Sequence, residues 1–406
     1  MPDEMEFSST TLLIVVLAAA LAPIIADLPR RLALQVVVLE IVLGIIIGPQ
    51  VLDIARPDDL ITVLSTFGLA ALFFMAGAEI DFAAIKGRPT AIAGVGWLAS
   101  MALALVVAAV LTRVDVIEDG PVVAVALTTT TLGVLAPVLK DAGILGSGLG
   151  ALTQAAGAMG ELAPIVVVSI FFAASGSLMG GVLLTAFTLA TVVAAAIITR
   201  VDAARVTRLI AETMHASGQL AVRLCMLVLV ALVVLANELG LDIILGAFAA
   251  GLIVNLTGFN GPTMEPLRVK IQGIAFGFFV PIFFIHTGMV FALDSLLDDP
   301  VALLELPLFL VLFLAVRGIP TALLARRDLP RRDAAPLALF SATALPMVVA
   351  ITEIGVTTGD MSRDTAASMV GAGMLSVLIF PLLALALRSR GPTAGASSAA
   401  TGDGAP

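Results

Sequence analysis

Long apolar runs alternate with short polar breaks along almost the whole chain. A helix that crosses a bilayer needs about 20 mostly apolar residues. Turn residues and charges divide the sequence into thirteen such runs, with cores near 9–27, 33–52, 60–80, 89–112, 121–138, 148–174, 179–198, 220–237, 241–256, 271–293, 301–325, 334–355 and 365–387. The fifth, ninth and twelfth are short or interrupted. The pattern predicts an all-α polytopic membrane protein with 13 transmembrane helices and a membrane domain over 1–390. The last stretch, 391–406, is small and polar and is expected to be a disordered cytoplasmic tail.

Composition sharpens this picture. Hydrophobic residues make up 60% of the 406, charged residues 13%, and the mean hydropathy is +1.13. Soluble domains carry about 25% charged residues, so a large soluble core is excluded. The N-terminus, MPDEMEF, holds three acids and no Lys or Arg. A signal peptide has a positively charged start, so the first run is expected to be a retained span with its N-terminus outside. Cys225 is the sole cysteine, and no disulfide within the chain is possible.

The basic residues support the span count. With the N-terminus outside, seventeen Lys and Arg fall in inside loops and three (Arg56, Arg113, Arg363) in outside loops. Only Arg317, within the eleventh span, remains of the 21. Cytoplasmic loops carry the excess of Lys and Arg, which predicts N-out, C-in insertion in the cell (inner) membrane, with the lipid bilayer as surroundings and no nucleic-acid partner.

Three pairs of segments look alike. "FGLAALFFMAG" in span three matches "FGFFVPIFFIHTG" in span ten, and "LGIIIGP" in span two matches "LGAFAAG" in span nine. "TTTTLGVLAPVL" in span five matches "SATALPMVVAIT" in span twelve. The partners lie seven spans apart each time. An odd offset reverses direction, which is the mark of inverted repeats. The expected arrangement is repeat one over about 9–174, a connector helix over about 179–198 and repeat two over about 220–387.

The third pair points to chemistry. Each member carries a proline within the span, Pro137 or Pro346, beside hydroxyl residues: Thr128 to Thr131 in one, Ser341 and Thr343 in the other. Proline withholds a backbone donor, here from the carbonyls of Gly133 and Ala342. Helices interrupted at matching places in two halves are the best sequence pointer to a transporter site. Glu161 lies at the centre of span six, where an acid costs on the order of 3 kcal/mol on insertion scales. Pro164 withholds its donor from the carbonyl of Gly160, beside that acid, and so offers another oxygen to a hard cation. Arg317 is the basic group at similar depth, expected to pair with Glu161 when no ion is bound. Gln154, two turns before Glu161, is a candidate lining group. Thr287 sits beside His286, which is expected to make an ordinary local hydrogen bond. Asp81, at the end of span three, is expected to be interfacial, and Glu353 and Asn255 structural. There is no His/Cys metal pattern, no nucleophile–base set and no phosphate loop, so an enzyme is not expected and no cofactor is implied.

The stretches "LEIVLGIIIGPQVL", "FGLAALFFMAGAEID", "LGAFAAGLIV", "FFIHTGMVFALD" and "VRGIPTALLARR" resemble the monovalent cation:proton antiporter-2 family of the sodium/proton exchanger superfamily. The resemblance covers about residues 10 to 388. It implies two inverted six-helix repeats with crossed interrupted helices, a homodimer and an elevator-like motion. It also puts Glu161 on the ion-binding acid, Arg317 on the charge-compensating base, and Thr129, Thr130 and Thr131 on the interrupted helix. Many members carry two adjacent polar residues on span six, whereas this chain has Gly160-Glu161. One titratable group carries one proton per cycle, so the expected function is electroneutral exchange of Na+ or K+ for H+ by alternating access. The alternative is a cation-coupled symporter of an organic solute on the same fold. Many relatives end in a cytosolic nucleotide-binding domain. The chain stops 18 residues after Arg388, so such regulation is expected to be absent.

Overall fold

A computed structural model describes residues 8–27, 35–79, 87–174, 219–298 and 300–389, with four isolated positions between 187 and 193. The described residues are helical throughout, joined by turns. In chain order they form α1 (Ser9–Asp27), α2 (Val36–Ile47), α3 (Asp59–Ala78), α4 (Arg88–Arg113), α5 (Gly120–Leu127), α6 (Leu132–Asp141) and α7 (Gly148–Ala174). Then come α8 (Leu220–Glu238), α9 (Ile243–Asn255), α10 (Glu265–Met289), the short α11 (Leu293–Asp298) and α12 (Leu303–Arg327). The chain ends in α13 (Arg331–Ser341), α14 (Pro346–Thr358) and α15 (Arg363–Ser389).

Among the described residues, nine helical stretches are long and apolar enough to cross a membrane, α13 and α14 counting together as one. Two shorter apolar helices, Val36–Ile47 and Ile243–Asn255, join them. This is a multi-pass membrane protein. The expected connector, 179–198, lies outside the described residues apart from the isolated positions, as does the expected tail, 391–406.

The helices group into two bodies. In one, α3 packs on α9 and α10, α2 packs on α1 and α10, and α8 packs on α9. In the other, α7 packs on α4, α5, α6 and α13, and α15 packs on α12, α13 and α14. The bodies meet where α7 touches α9 and α2 touches α15. Small residues bring the helices of the first body into backbone contact. A Cβ on Gly251 would strike the Phe74 carbonyl, and one on Gly288 would strike the Ile41 carbonyl. Such close approach replaces the hydrophobic drive that lipid cannot supply between apolar helices.

Helix ends are capped by side chains that the sequence places there. Asp58 accepts the Ile61 N–H at 2.8 Å and the Ser8 N–H at 3.0 Å, which fixes the start of α3 against the chain before α1. Gln50 accepts the Leu293 N–H at 2.6 Å and ties the end of α2 to α11. Asp119 accepts the Ser362 N–H at 2.9 Å and joins the turn before α5 to the turn before α15. Burial is the main influence on Asp119 and, together with Glu118 and Asp360 nearby, holds its carboxyl above the usual range, against the opposing pull of that hydrogen bond.

Candidate functional site

Two helices break inside the second body. The break between α5 and α6 covers 128–131, and the break between α13 and α14 covers 342–345. The first falls on the threonines, ahead of Pro137, which lies within α6. Pro346 instead opens α14, where a missing N–H costs nothing. The two breaks hydrogen-bond to each other. The Thr131 N–H donates to the Thr343 carbonyl at 2.9 Å, and the Leu345 N–H donates to Thr131 Oγ1 at 3.1 Å. The Thr130 hydroxyl donates to the Ser341 carbonyl at 2.6 Å. Ser376 of α15 completes the second break: it accepts the Ala344 N–H at 3.1 Å and donates to the Ala344 and Gly373 carbonyls.

Every threonine of the first break is fully or almost fully buried. Thr128 and Thr129 turn their hydroxyls back onto the Val125 and Ala126 carbonyls at 2.7 and 2.8 Å, closing the end of α5. Thr343 does the same on α13, donating to Leu339 at 3.0 Å. Helix ends leave backbone groups without intrahelical partners. These hydroxyls satisfy several of them in a place that water does not reach.

Glu161 sits beside the start of α6. Its Oε1 accepts the Leu132 N–H at 2.7 Å, and the Gly133 N–H also points at the carboxylate. The first free N–H groups of a helix, together with its dipole, make a ready anion site. The glutamate fills that site from within the protein and is half-buried. Gly133 is exposed, and no described atom lies within 4 Å of where its Cβ would be. Ala136 is half-buried and Lys140 exposed one and two turns along α6 from Gly133, so these three form a partly exposed strip on that helix. The facing half-helices are closed: Val122 to Leu127 of α5 and Met347 to Thr352 of α14 are buried.

Arg317 lies in a π-helical turn of α12, Phe313–Gly318, and is wholly buried. π-turns inside α-helices are frequent at functional sites. Its Nε donates to Thr130 Oγ1 at 2.9 Å, Nη1 to Thr321 Oγ1 at 3.2 Å and Nη2 to the Ala156 carbonyl at 2.6 Å. All three acceptors are neutral. The expected pair with Glu161 is not formed: no ion pair among the described residues joins them. The carbonyl of Gly160 also differs from expectation. It accepts the Thr130 N–H at 3.2 Å rather than standing open beside Glu161.

The remaining candidates lie further out. Gln154 donates to the Leu145 and Gly150 carbonyls and braces the start of α7. Thr287 donates to Phe283 at 2.9 Å within α10, in the first body, and is not brought to the breaks. His286 beside it pairs with Ser65 Oγ at 3.1 Å, as a local hydrogen bond. The sequence reading missed Glu79. It caps α3, is exposed, accepts from Gln272 at 2.7 Å and is felt electrostatically by Glu161. Its signal was its place in "FFMAGAEID", where attention fell on Asp81, which lies outside the described residues. Ser341 Oγ, buried at the second break, has no partner among the described residues.

Two broken helices hydrogen-bonded to each other beside a half-buried acid point to a transporter site, and comparison with known proteins agrees. The model of the sodium/hydrogen exchanger transmembrane family matches residues 16–385. The chain belongs to the sodium/hydrogen exchanger family. As a member, it is similar to the YjbQ protein of Bacillus subtilis, described as a candidate Na+/H+ antiporter, at 27% identity over 92% of this chain and 62% of that protein. It thus spans less than two thirds of that relative's length. It is 26% identical to the Na+/H+-K+ antiporter GerN of Bacillus cereus, over 87% of this chain and 90% of GerN. Among solved structures, the sodium proton antiporter MjNhaP1 of Methanocaldococcus jannaschii shares the fold, with a TM-score of 0.65 at 15% identity over 94% of this chain and 98% of that one.

Proposed function

We propose that this exchanger carries a monovalent cation, Na+ or K+, against a proton by alternating access, with Glu161 as the shared site. The observation that carries the reading is the carboxylate of Glu161, held on the open start of α6 beside the partly exposed strip of that helix. A carboxylate can hold a proton or a metal cation but not both. A hard cation prefers oxygen donors, and the breaks beside Glu161 carry the oxygens of Thr129, Thr131, Thr343 and the turn at Pro346. Gly133 keeps the approach open. Gln154 braces the start of α7, and Thr287 stays apart from the breaks in α10.

With the N-terminus outside, the partly exposed strip faces the cytoplasm and the closed half-helices face out. The conformation is then the inward-open one. Thirteen spans in two inverted six-helix repeats, a homodimer and an elevator-like sliding of the second body on the first complete the reading, with pH homeostasis at the inner membrane as the role. Glu161 is the one acid at mid-depth among the described residues of the second body, which supports one proton exchanged for one cation. The relatives named as Na+/H+ and Na+/H+-K+ antiporters support the choice of ions.

The test is proton flux in vesicles reconstituted with the pure protein, read with a trapped pH dye while Na+, K+ or Li+ is added. Wild type should alkalinise or acidify the lumen according to the cation gradient, and Glu161→Gln should respond like protein-free vesicles. Coupled flux that persists in Glu161→Gln would refute the site. Flux that requires an organic solute would favour a symporter.

A further inference from the structure

Gly160 and Thr130 occupy one small volume. A Cβ added at Gly160 would lie 2.5 Å from Thr130 Cβ, 2.6 Å from its Oγ1 and 2.8 Å from its N. No side chain fits at 160 unless Thr130 moves. The space next to Glu161 on α7 is therefore filled by a hydroxyl from the broken helix. That hydroxyl is committed on both sides, donating to the Ser341 carbonyl at 2.6 Å and accepting from Arg317 Nε at 2.9 Å.

The guanidinium is a permanent cation in a dry setting. Its other two partners, Thr321 Oγ1 and the Ala156 carbonyl, are also neutral. A buried cation held by neutral oxygens, in the same cluster as an unpaired carboxylate, is an arrangement that must be actively maintained. The segment 130–132, which ends the break and opens α6, maintains it from both flanks. Thr130 takes the guanidinium on one side, and the Leu132 N–H takes the carboxylate on the other.

We propose that Thr130 is a positioning residue whose hydroxyl latches Arg317 away from Glu161, so that the protein's own fixed cation does not compete with the transported one. Without the latch, the Nε–H loses its acceptor in a water-poor place, where an unmet donor is costly. The latch proposal then has the freed guanidinium turn toward Glu161, the carboxylate one residue along α7 from Gly160. A transported cation would have to displace the guanidinium before binding. The cost falls on cation affinity more than on the rate of the loaded carrier. The proposal rests on Glu161 being the cation site.

The experiment measures KM for Na+ and kcat of exchange in proteoliposomes for wild type, Thr130→Val, Thr130→Ser and Gly160→Ala. Val matches Thr in shape and removes the hydroxyl, and Ser keeps it. Gly160→Ala leaves Thr130 intact but forces its side chain aside. Thr130→Val and Gly160→Ala should raise KM by about tenfold or more, as an internal ion pair of modest strength would, with a smaller change in kcat. Thr130→Ser should stay near wild type. If Thr130→Val does not fold, as judged by its elution and melting in detergent, the other two variants carry the test. An unchanged KM in Gly160→Ala, or in a folded Thr130→Val, overturns the latch. So does a Thr130→Ser that behaves like Thr130→Val. These outcomes leave the site itself intact, because wild type still exchanges. Absence of exchange in wild type under every cation would instead defeat the underlying reading.

Discussion

At the scale of single residues, the site depends on buried donors having assigned acceptors. Thr131 shows this most plainly. Its hydroxyl accepts the Leu345 N–H, and its own N–H reaches the Thr343 carbonyl, so one residue closes both breaks. Thr131→Val removes the first bond and leaves a buried N–H without a partner. An orphaned buried donor costs about 1–3 kcal/mol, so the variant should melt at a lower temperature than wild type in the same detergent. Ser at 131 should restore most of the loss, and an unchanged melting temperature in Thr131→Val would count against the bond. Much at this scale was legible in the sequence. A lone acid at the centre of an apolar run, and hydroxyls clustered near a proline, are the groups that the fold brings together. What was not legible is which group meets which. Arg317 and Thr130 lie 187 positions apart, and Ser341 and Thr130 lie 211 apart. Apolar periodicity carries no record of such pairings. Hence the expected Arg317–Glu161 pair and the free Gly160 carbonyl were natural readings, and the fold replaces both with contacts to Thr130.

At the scale of elements, the breaks deserve the emphasis the sequence put on them, with one adjustment. The expected interruption of span five, marked by Pro137 together with the threonines, falls on the four threonines, and Pro137 itself lies within α6. Threonine hydroxyls can bond the backbone of the preceding turn and so offer it an alternative to helix. Thr128 and Thr129 do this on α5. Between the bodies, the contact of α7 with α9 is the place where sliding would be felt. In a Cys225→Ser background, a cysteine cross-link between α7 and α9 should stop exchange, and reduction should restore it. A cross-link inside one body, such as α3 to α9, should leave exchange intact. If both behave alike, relative motion of the bodies is not part of the cycle.

At the scale of the whole molecule, the alternation of long apolar runs with short polar breaks predicted a multi-pass helical membrane protein, because the bilayer leaves the backbone few alternatives. The family match over residues 16–385 and the shared fold with a solved sodium proton antiporter agree with it. A single mid-depth acid among the described residues of the second body, as proposed for Glu161, predicts exchange without net charge movement. The initial rate of Na+-driven proton flux should be the same with and without an imposed membrane potential, and a rate that follows the potential would show that more than one proton moves per cation.

The central claim is that cation and proton compete for one carboxylate, Glu161. The most direct measurement is proton release on cation binding, with the purified protein in weakly buffered detergent solution and Na+ or K+ added at a pH where the acid is part protonated. The account predicts release of protons that saturates with cation, with at most one proton for each cation bound, and none from Glu161→Gln. Equal release from the Glu161→Gln variant, or cation binding to wild type with no proton released at any pH, would contradict it.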